Sequence, residues 1–483
     1  MVSSEFTPLA KAGGLADAVA SLAGALRRNG VDVRAVIPRY GFIPKGKLEA
    51  LPESLGIPIG IREEWVAVYR WKSPGGVEVY LLDHEELFGR RGIYNEAGLD
   101  YADNARRFTL LSYGAFQLAR MLHWVPDVMH AHDWPTAMVP VFLRSRESEG
   151  EFAETASLFT IHNIGYQGIF SSEQFVHAKL PWQDYESLGL SFNKAFNMLH
   201  GALKNADLLT TVSERYAREI KEPEFSFGLQ EVLREREGRL QGVLNGIDLD
   251  EWDPEEDEYL PAPYSAEDMG GKSAAKQELQ RTFGLPESPD TPLIGFIGRL
   301  AEQKGIKYLF GDEGGAIDRL CREQSVQCVI LAWGDPRFET FIRRASLELP
   351  NVGAHLGYDY QLAHLIEGGS DFLLMPSQYE PCGLNQMYSM RYGTIPIVTN
   401  TGGLADTVID ESEGEGATGF LMDTPTVESV VTTVERALHF YRNRPERIEE
   451  LRQAGMSRDF SWTRSARRYQ ELYEEAIRLR RRS

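Results

Sequence analysis

A seven-residue motif, Gly-Gly-Leu-Ala-Asp-x-Val, occurs twice in the chain, at residues 13–19 and again at residues 402–408. Each copy comes just before a segment that can form a helix. A glycine pair at such a place lets the chain turn tightly and leaves backbone N–H groups free to face an anion. Two matching loops therefore predict one phosphate-bearing ligand held between two similar domains. The alternative, two helix starts that match by chance, fits a single copy better than a pair whose first member follows Lys11.

The length and the charge of the chain restrict the kinds of partner. A chain of 483 residues is too long for one ordinary core and predicts two or three domains. Its apolar and charged fractions, 42% and 25%, are those of a soluble globular protein. The formal net charge of −20 argues against nucleic acid and against an anionic membrane surface, since both attract basic surfaces. A neutral polymer would be indifferent to this charge, whereas an anionic small ligand would need its own cluster of Lys and Arg.

The cysteines and the N-terminal sequence favour a reducing compartment. The cysteines are Cys321, Cys328 and Cys382, an odd and sparse set that gives no disulfide framework. Cys321 and Cys328 flank an apolar segment and are expected to be core residues. No metal-ligand spacing, no secretory signal and no run of eighteen apolar residues is visible. We therefore expect a cytosolic protein that binds no metal and does not span a membrane.

Short apolar strands alternate with amphipathic segments in two series, separated by a stretch rich in Asp, Glu, Pro and Gly at 248–292. Such alternation predicts two parallel sheets with helices on both faces and ligands at the carboxyl ends of the strands. In the first series we expect helices at 16–28, 104–122, 134–144 and from 213, and strands at 32–37, 77–82, 128–131, 158–162 and 208–212. In the second we expect strands at 293–297, 327–331, 354–356, 372–375 and 395–398, with helices at 427–441 and 462–480, and a further helical piece is expected at 274–282 within the stretch between the series.

Segments at or near the expected strand ends are unusually dense in polar, charged or glycine residues. They are Lys-Ala-Gly-Gly-Leu at 11–15, His-Ala-His-Asp-Trp at 130–134, Thr-Ile-His-Asn at 160–163, Gly-Arg-Leu-Ala-Glu-Gln-Lys-Gly at 298–305 and Glu-Pro-Cys-Gly-Leu-Asn-Gln at 380–386. Taken together and in this order, they resemble the glycogen and starch synthases, glucosyltransferases that extend α-1,4-glucans from a sugar nucleotide. The resemblance covers essentially the whole chain, and the five motifs in order are far more specific than any one of them.

The resemblance implies an α/β protein of the GT-B fold, with two Rossmann-like domains whose parallel sheets face a deep interdomain cleft. The domains would be an N-terminal one on the acceptor side (1–250) and a C-terminal one that binds the nucleotide sugar (291–455). Between them we expect an acidic linker and crossover (251–290). The last segment (456–483) is expected to be a helix and is a candidate to pack back on the first domain.

The resemblance also implies which cations bind the donor phosphates. Lys11 would reach a phosphate beside Gly13 and Gly14, while Arg299 and Lys304 would grip the pyrophosphate from the second domain. The reaction breaks a sugar–phosphate bond, so fixed cations would stabilise the growing negative charge more in the transition state than in the ground state. The alternatives are a solvated Lys11 and a surface ion pair with Glu302, worth under about 1 kcal/mol.

Glu380 is implied to bind glucose hydroxyls near the reacting centre, since a charged acceptor makes strong hydrogen bonds to them. It could equally be a carboxylate favoured at a helix N-terminus, and both roles can hold. Related transferases often carry a second Glu eight positions later, where this chain has Tyr388, as the glucan synthases do. Cys382, in the same loop, has no adjacent His to activate it, so we expect packing or sensitivity rather than nucleophilic attack.

The same likeness places His162 and Asn163 on the acceptor or glucose side and Asp133 near the transferred sugar. For His130, His132 and Asp133 the alternatives are a metal site or a capped helix start. Tyr358 could stack on the nucleotide base, although an aromatic after a strand is more often a core residue. The residues expected to bind the donor are Lys11, Gly13, Gly14, Asn163, Asn245, Tyr358, Cys382, Gly383, Leu384, Gly402 and Gly403, and those expected to act in catalysis are Glu380, Arg299, Lys304, His162 and Asp133.

The sequence departs from the family pattern in places. Relatives usually carry a full apolar strand before Ser3-Ser4-Glu5, so the central strand of the first sheet is expected to be clipped. Relatives have a small residue where this chain has Trp333, which we expect to crowd the nucleotide pocket. The glycines at 311–315 are expected to break a helix, because Gly costs about 1 kcal/mol per position there.

The implied activity is glucose transfer from a nucleotide sugar, expected to be ADP-glucose, to the non-reducing end of an α-1,4-glucan with retention of configuration. We expect no other cofactor and no metal, because cationic side chains fill that role in GT-B enzymes. Domain closure is expected to assemble the site, and the leaving phosphate to help deprotonate the acceptor in a front-face route. The alternatives are a catalytically impaired glucan-binding or regulatory homologue and a GT-B transferase with another donor or a small acceptor.

Overall fold

The computed structural model describes residues 1–96, 98–311 and 314–482. The chain forms two compact units. Unit 1 consists of Met1–Gly246 together with Trp462–Ser483, and unit 2 of Ile247–Ser461. The helix at the end of the chain therefore belongs to unit 1. Residues 251–290, which the sequence suggested as a linker, belong to unit 2 and contribute the helix Gly270–Thr282 to it.

The strands of unit 1 form an α/β sheet in two arrays that Val2 joins. Val2 makes a parallel bridge to Val36 in one array and to Ala131 in the other. The strand orders of the arrays are β1-β4-β3-β2 and β13-β12-β8-β7, and a small sheet of order β10-β11-β9 and the pair β5-β6 lie outside them. The strands are β1 Arg34–Pro38, β2 Glu49–Ile59, β3 Arg62–Lys72, β4 Glu78–Asp83, β5 Asn95–Glu96, β6 Leu99–Asp100, β7 Val128–His132, β8 Ala156–Ile161, β9 Ile169–Phe170, β10 Ser191–Phe192, β11 Ala195–Asn197, β12 Leu208–Thr211 and β13 Leu240–Gly242.

The segment around Val2, between the two arrays, is short and is held on both sides. The N–H of Val2 donates to the carbonyl of His130 (2.8 Å), and the N–H of His132 donates to the carbonyl of Val2 (3.2 Å). On the other side, the N–H of Ser3 donates to the carbonyl of Val36 (3.1 Å). The segment therefore aligns β1 with β7, and the residues that follow it, up to Glu5, leave at the carboxyl edge of the sheet.

The pairing within unit 1 is parallel where the sequence predicted it and antiparallel at one edge. Neighbours β7, β8, β12 and β13 run parallel, as do β1 and β4. The antiparallel edge is β2–β3–β4, with Gly60 and Ile61 forming a two-residue turn between β2 and β3. The prediction of strands missed this hairpin. Its signal was the alternation in β3, where Val66 and Val68 are buried and their neighbours are not.

Helices cover the sheet of unit 1, and the last helix, Trp462–Arg480, packs on α1 and on β8. Its buried face includes Trp462, Tyr469, Leu472 and Ala476. The other helices are α1 Gly14–Arg28, α2 Glu85–Phe88, α3 Asn104–Met121, α4 Met138–Arg144, α5 Trp182–Ser187, α6 Met198–Asn205, α7 Glu214–Glu219 and α8 Gln230–Glu235. Ser213 caps α7 as predicted, since its hydroxyl accepts from the N–H of Tyr216. Short 3₁₀ turns lie at Lys45–Lys47, Trp134–Thr136, Gly150–Phe152, Ser172–Ala178 and Glu237–Arg239.

Unit 2 has a fully parallel sheet of order β16-β15-β14-β17-β18-β19. Its strands are β14 Leu293–Leu300, β15 Gln327–Gly334, β16 Val352–Leu356, β17 Phe372–Met375, β18 Ile395–Thr399 and β19 Phe420–Met422. Its helices are α9 Gly270–Thr282, α10 Ile306–Leu309, α11 Ala316–Glu323, α12 Pro336–Glu348, α13 Tyr360–Gly369, α14 Asn385–Arg391, α15 Gly402–Thr407, α16 Val427–Asn443 and α17 Pro445–Met456. Short 3₁₀ turns lie at Glu302–Lys304 and Glu411–Glu413.

The apolar strands of unit 2 pack into one core with the helices on their faces, and Cys321 and Cys328 belong to this core as predicted. The expected break in the helical stretch at 311–315 falls partly outside the described residues; on either side of it, α10 ends at Leu309 and α11 begins at Ala316. None of the helices described here combines the length and the apolarity needed to cross a membrane.

Candidate active site

The polar residues of unit 2 gather where the strand order reverses. In sequence order β14, β15 and β16 extend the sheet to one side, and β17, β18 and β19 extend it to the other. The reversal between β14 and β17 opens a crevice at the carboxyl ends of these strands, the usual ligand site of such a sheet. Arg299 lies at the end of β14, Lys304 in the turn after it, and Glu380 in the loop after β17. The predicted cations and the predicted carboxylate thus flank the crevice.

Lys304 and Glu380 form an ion pair. Nζ of Lys304 lies 2.5 Å from Oε2 of Glu380, and the hydroxyl of Ser377 donates to the same oxygen at 3.0 Å. The Glu380 side chain is only 7% exposed and that of Lys304 is 22% exposed. Lys304 therefore pairs with Glu380 and not with Glu302, as the alternative interpretation had it. It orients the carboxylate of Glu380, which was predicted to bind the sugar hydroxyls.

The two loops that carry this pair are joined along their backbones. The N–H of Gln378 donates to the carbonyl of Gln303 (2.8 Å), and the side-chain amide of Gln303 donates to the carbonyl of Tyr379 (3.2 Å). Gly305 has φ +71°, and a Cβ there would lie 1.9 Å from the carbonyl oxygen of Pro376. Only glycine permits this approach, so the loop after β14 holds Lys304 against Glu380.

Arg299 is half-buried on β14, beside Trp333 of β15 in the parallel register. Among the described residues, no carboxylate lies within ion-pair distance of its guanidinium. A guanidinium that is partly desolvated and not neutralised is suited to bind an anion bidentately. This is the property expected of a residue that binds pyrophosphate.

The second glycine pair differs from the predicted anion loop. Gly402 and Gly403 are buried, and the N–H of Gly403 donates to the carbonyl of Glu380 at 3.0 Å. A Cβ on Gly402 would lie 1.9 Å from the carbonyl oxygen of Glu380, and one on Gly403 would lie 2.1 Å from that of Cys382. These glycines let the backbone of one loop touch another. They therefore support the loop of Glu380 and do not leave their N–H groups open to an anion.

The first glycine pair is open. A Cβ on Gly13 would meet nothing within 4 Å, and α1 starts at Gly14 with no side-chain cap. The N–H groups of Ala12 and Gly13 donate to Oε2 of the buried Glu5, at 2.6 and 3.0 Å. Burial raises the pKa of Glu5. Of the first-turn N–H groups of α1, which an α-helix does not satisfy internally, that of Ala16 donates to the carbonyl of Gly13 at 3.3 Å.

Lys11 is exposed beside this loop, with Nζ 2.8 Å from Oδ2 of Asp17. The pair is partly solvated, with side chains 36% and 22% exposed. An exposed pair of this kind is worth under about 1 kcal/mol, so an arriving anion could compete for the ammonium at little cost. Lys11 and the start of α1 therefore form a compact cationic corner on unit 1.

Asp133 and the residues after β8 meet at the carboxyl edge of the unit 1 sheet. Oδ1 of Asp133 accepts from the N–H of His162 at 2.7 Å and from the N–H of Asn163 at 3.3 Å. The side chain of Asn163 in turn accepts from the N–H of Gly165 at 2.9 Å. Loss of solvation raises the pKa of Asp133 to about 7. The three predicted sugar-side residues are thus brought together.

The backbone of Asp133 is strained. Its φ of +56° and ψ of 177° lie in a region that residues other than glycine rarely adopt, at a cost of roughly 1–3 kcal/mol. The conformation persists because hydrogen bonds hold both backbone groups of Asp133. Its N–H donates to the carbonyl of Thr160 (3.0 Å), and its carbonyl accepts from the N–H of Thr136 (3.0 Å). Strain maintained in this way is typical of a functional position.

Histidines line the ends of β7 and β8. Nδ1 of His132 lies 3.1 Å from Nε2 of His162, and the rings of His130 and His132 lie 4.0 Å apart between centroids. Desolvation lowers the pKa of His162 to about 3 and the pKa values of His130 and His132 well below 6.5, so all are neutral at pH 7. The alternative of a metal site is not supported, since the described residues contain no group of His, Cys, Asp and Glu that could hold an ion.

Sequence reasoning missed residues that support the site. Nδ1 of His130 lies 2.8 Å from the hydroxyl of Tyr473 in the last helix, and its Nε2 lies 2.6 Å from the hydroxyl of Thr160. Ser377 and Glu5 were likewise not predicted to act, although each contacts a predicted residue or loop. The residue types gave no signal: Tyr473 is distant from His130 in the chain, and nothing in the sequence shows that Ser377 or Glu5 turns toward its partner.

The remaining predicted residues lie at the same sheet edges. Tyr358 is 56% exposed beyond β16, so the alternative interpretation as a core residue is wrong, and its ring lies edge-on to Trp333 at 5.2 Å. Cys382 is buried. Gly383 has φ +72° just before Leu384, which precedes α14. Asn245 is buried beyond β13.

The fold matches that of solved glycosyltransferases. The chain is similar to the catalytic domain of starch synthase IV from Arabidopsis thaliana bound to ADP and acarbose, with a TM-score of 0.89, 31% identity and 98% of each chain covered. It shares the fold of a sucrose-phosphate synthase from Thermosynechococcus elongatus, with a TM-score of 0.60, 17% identity and coverage of 99% and 96%. The chain is a glycosyltransferase of the GT-B class.

The family follows from sequence comparison. Residues 1–235 match the family model of the starch synthase catalytic domain, and residues 279–454 match that of glycosyl transferases group 1. The chain is 46% identical to a glycogen synthase of Treponema denticola over 99% of its length and 98% of that relative, and 42% identical to one of Myxococcus xanthus over 99% and 98%. It belongs to the glycogen and starch synthase family, as the motifs indicated.

Proposed function

We propose that the protein transfers glucose from ADP-glucose to the non-reducing end of an α-1,4-glucan and retains the α configuration. Relatives named glycogen synthase, 40–46% identical over nearly the whole chain, support the reaction. The Arabidopsis relative was solved with ADP and acarbose, which supports an adenine nucleotide and a glucan-like ligand. Nucleotide sugar and glucan are therefore the proposed substrates.

The observation that carries this proposal is the Lys304–Glu380 pair beside Arg299 at the switch point of the unit 2 sheet. In the proposed reaction the bond between the glucose C1 and the β-phosphate oxygen breaks, and its electron pair stays on the phosphate. Arg299 and Lys304 supply fixed positive charge that stabilises the negative charge growing on the leaving diphosphate. Glu380, held by Lys304 through Oε2, accepts hydrogen bonds from glucose hydroxyls.

Unit 1 is proposed to act on the same substrates through its cationic corner and its sheet edge. Lys11 and the first-turn N–H groups of α1 would bind a donor phosphate. His162, Asn163 and the strained Asp133 would contact the transferred sugar or the acceptor. The remaining donor-side residues, Asn245 and Tyr358, are proposed to line the nucleotide sugar, with Tyr358 stacking on the base.

Retention is proposed to follow a front-face route. The acceptor hydroxyl attacks C1 on the side from which the diphosphate leaves, and its proton passes to the departing phosphate oxygen. Double displacement would need a carboxylate behind the sugar as nucleophile. Asp133 is ill suited to that task, because two backbone N–H groups occupy one of its oxygens. Trapping of a covalent glucosyl-enzyme would exclude the front-face route.

The test is incorporation of labelled glucose into a glycogen primer, from ADP-glucose and from UDP-glucose in parallel. We expect incorporation from ADP-glucose, a lower rate from UDP-glucose, and none from the Glu380→Ala variant. EDTA should leave the rate unchanged, since no metal or other cofactor is proposed. No incorporation from either donor by well-folded protein would overturn the proposal and favour a glucan-binding role. Cell fractionation tests the cytosolic location that we propose with it.

A further inference from the structure

His132 and His162 share a single hydrogen bond whose direction the surroundings determine. Nδ1 of His132 lies 3.1 Å from Nε2 of His162. His132 ends β7 and His162 follows β8, and the two strands are parallel neighbours, so both rings lie at the carboxyl edge of the sheet. His132 is 1% exposed, whereas His162 is half-buried.

Both rings are neutral at physiological pH. Desolvation lowers the pKa of His132 well below 6.5 and that of His162 to about 3. A neutral imidazole carries one N–H, so one ring must donate and the other must accept. In one arrangement the hydrogen of His132 is on Nδ1 and that of His162 is on its own Nδ1. In the other, His162 donates from Nε2 and the hydrogen of His132 is on Nε2.

The environment of Nε2 of His132 separates the two arrangements. This atom is buried, and none of the described residues forms a hydrogen bond with it. If it carried the hydrogen, a buried N–H would have no acceptor, and orphaned N–H groups are rare in folded proteins. If it is bare, only an acceptor lone pair is left unsatisfied, which proteins tolerate more often. A bare Nε2 requires the hydrogen of His132 to be on Nδ1, which is the first arrangement.

We propose that His132 is a positioning residue that donates from Nδ1 to Nε2 of His162 and so fixes the hydrogen of His162 on Nδ1. His162 then presents a hydrogen-bond donor at its second nitrogen. The ligand atom that faces it must be an acceptor, a sugar hydroxyl oxygen or a phosphate oxygen. The identity of that ligand rests on the proposed function, but the tautomer of His162 does not.

The ring of His132 is itself fixed. The ring of His130 lies 4.0 Å from it between centroids, at an angle of 35°. His130 is held at both nitrogens, by the hydroxyl of Tyr473 at 2.8 Å and by that of Thr160 at 2.6 Å. The hydroxyl of Thr160 continues to that of Thr210 at 2.6 Å. The last helix thus contributes, through Tyr473, to holding the donor ring in place.

The direct test is ¹⁵N NMR of the protein labelled in its histidine rings, with the His162 signals assigned by their loss in His162→Gln. We expect a protonated Nδ1 and a bare Nε2 for His162 at pH 7.5. The opposite pattern, with the hydrogen on Nε2, overturns the proposal. This measurement needs no enzymatic activity, so it stands even if the proposed function fails.

The kinetic test compares amide variants that place one N–H differently. His132→Asn puts its amide N–H near the position of Nδ1, His132→Gln puts it near Nε2, and His132→Leu removes it. We expect His132→Asn to keep kcat within about threefold and the His162 spectrum unchanged. We expect His132→Gln and His132→Leu to lower kcat by about 10-fold or more, the loss seen when outer partners of metal-bound histidines are removed.

Equal losses in His132→Asn and His132→Gln, or full kcat in His132→Leu, would overturn the proposal. If His132→Leu does not fold, the contrast between the two amides still decides.

The control is the same Asn and Gln pair at His200, a buried histidine of unit 1 whose Nδ1 contacts the carbonyl of Gly189. Those variants should change thermal stability and leave kcat and the tautomer of His162 unaltered. Inactive wild-type protein with the expected spectrum would refute the proposed function alone.

Discussion

The ammonium of Lys304 lies 2.5 Å from the Oε2 atom of Glu380, between loops that follow different strands of the same parallel sheet. The pair has two consequences for activity. Replacing Lys304 by Met removes the cation that we propose for the leaving diphosphate and also releases the carboxylate of Glu380. We expect kcat for glucosyl transfer to fall by about 10²–10³, the usual loss for one such electrostatic donor. Steady-state rates with ADP-glucose and glycogen measure it.

Glu380→Gln tests the role of the carboxylate while Lys304 stays in place. It keeps the shape of the side chain and removes the charge that holds Lys304. We expect a loss of similar size. The matched control is Lys307→Met, an exposed lysine three residues further on whose Nζ lies over the ring of Tyr308. It should retain nearly full activity. A Lys304→Met enzyme with more than half of the wild-type kcat would contradict the assignment.

The two glycine pairs are predicted to respond oppositely to alanine. A Cβ at Gly403 would lie 2.1 Å from the carbonyl oxygen of Cys382, so Gly403→Ala should destabilise unit 2 by more than about 2 kcal/mol and abolish activity. Gly13 has φ −161° and open space around its Cβ position, so Gly13→Ala should fold normally. If a phosphate approaches this loop, Gly13→Ala raises KM for the donor without lowering Tm.

Thermal denaturation followed by donor titration distinguishes these cases. The assignment fails for the second motif if Gly403→Ala melts like the wild-type protein. It fails for the first motif if Gly13→Ala leaves both Tm and the donor KM unchanged.

The sequence predicted the parts of this fold that depend on local pattern. Strand–helix alternation gave every strand of the unit 2 sheet except Phe420–Met422, a short element that lies directly after the loop containing Gly414 and Gly416. The polar motifs were expected at strand ends, and the structure places Arg299, Glu380 and Asp133 there. Parallel strands end at one edge, so this much follows from chain direction alone.

The interactions between those motifs could not be predicted, because they depend on which loops touch. The repeated heptapeptide shows the limit most clearly. Its two copies are nearly identical in sequence, yet Gly13 faces open space and Gly403 is packed against the loop of Glu380. Similarly, nothing near Lys304 in the sequence indicates that its partner is Glu380 rather than Glu302. Tertiary packing assigns different roles to the same local motif.

Trp333 and Tyr358 are predicted to act together on the nucleotide base. Tyr358 is 56% exposed, and the edge of Trp333 lies against its ring at 5.2 Å between centroids. An aromatic platform for a base is worth about 1–3 kcal/mol, so Tyr358→Ala should raise the KM for ADP-glucose by roughly 5- to 100-fold. Trp333→Phe should keep the edge contact and the wild-type KM, whereas Trp333→Ser should weaken donor binding.

Isothermal titration with ADP measures the same effect without turnover. The control is Trp182→Ser, an exposed tryptophan of unit 1 that is 61% accessible, and it should leave ADP binding unchanged. Tight ADP binding by Tyr358→Ala would show that the base lies elsewhere.

Asp133 is predicted to make stability depend on pH near neutrality. Its pKa rises to about 7 in the folded protein because the carboxylate is poorly solvated, against an ordinary value of 3.8. A raised carboxyl pKa means that the folded state binds the proton more tightly. The contribution of protonated Asp133 to folding stability is therefore full below pH 3.8 and is lost as the pH rises to about 7.

Asp133→Asn resembles the protonated acid and can still accept from the N–H groups of His162 and Asn163. We expect Asn to stabilise the protein relative to the wild type by about 2–3 kcal/mol more at pH 8 than at pH 5, because the folded state loses the Asp133 proton only near pH 7. Urea unfolding at both pH values measures the difference, and Asp184→Asn, a half-buried aspartate of helix α5, serves as control. Equal effects of Asp133→Asn at the two pH values would show that Asp133 is ionised throughout.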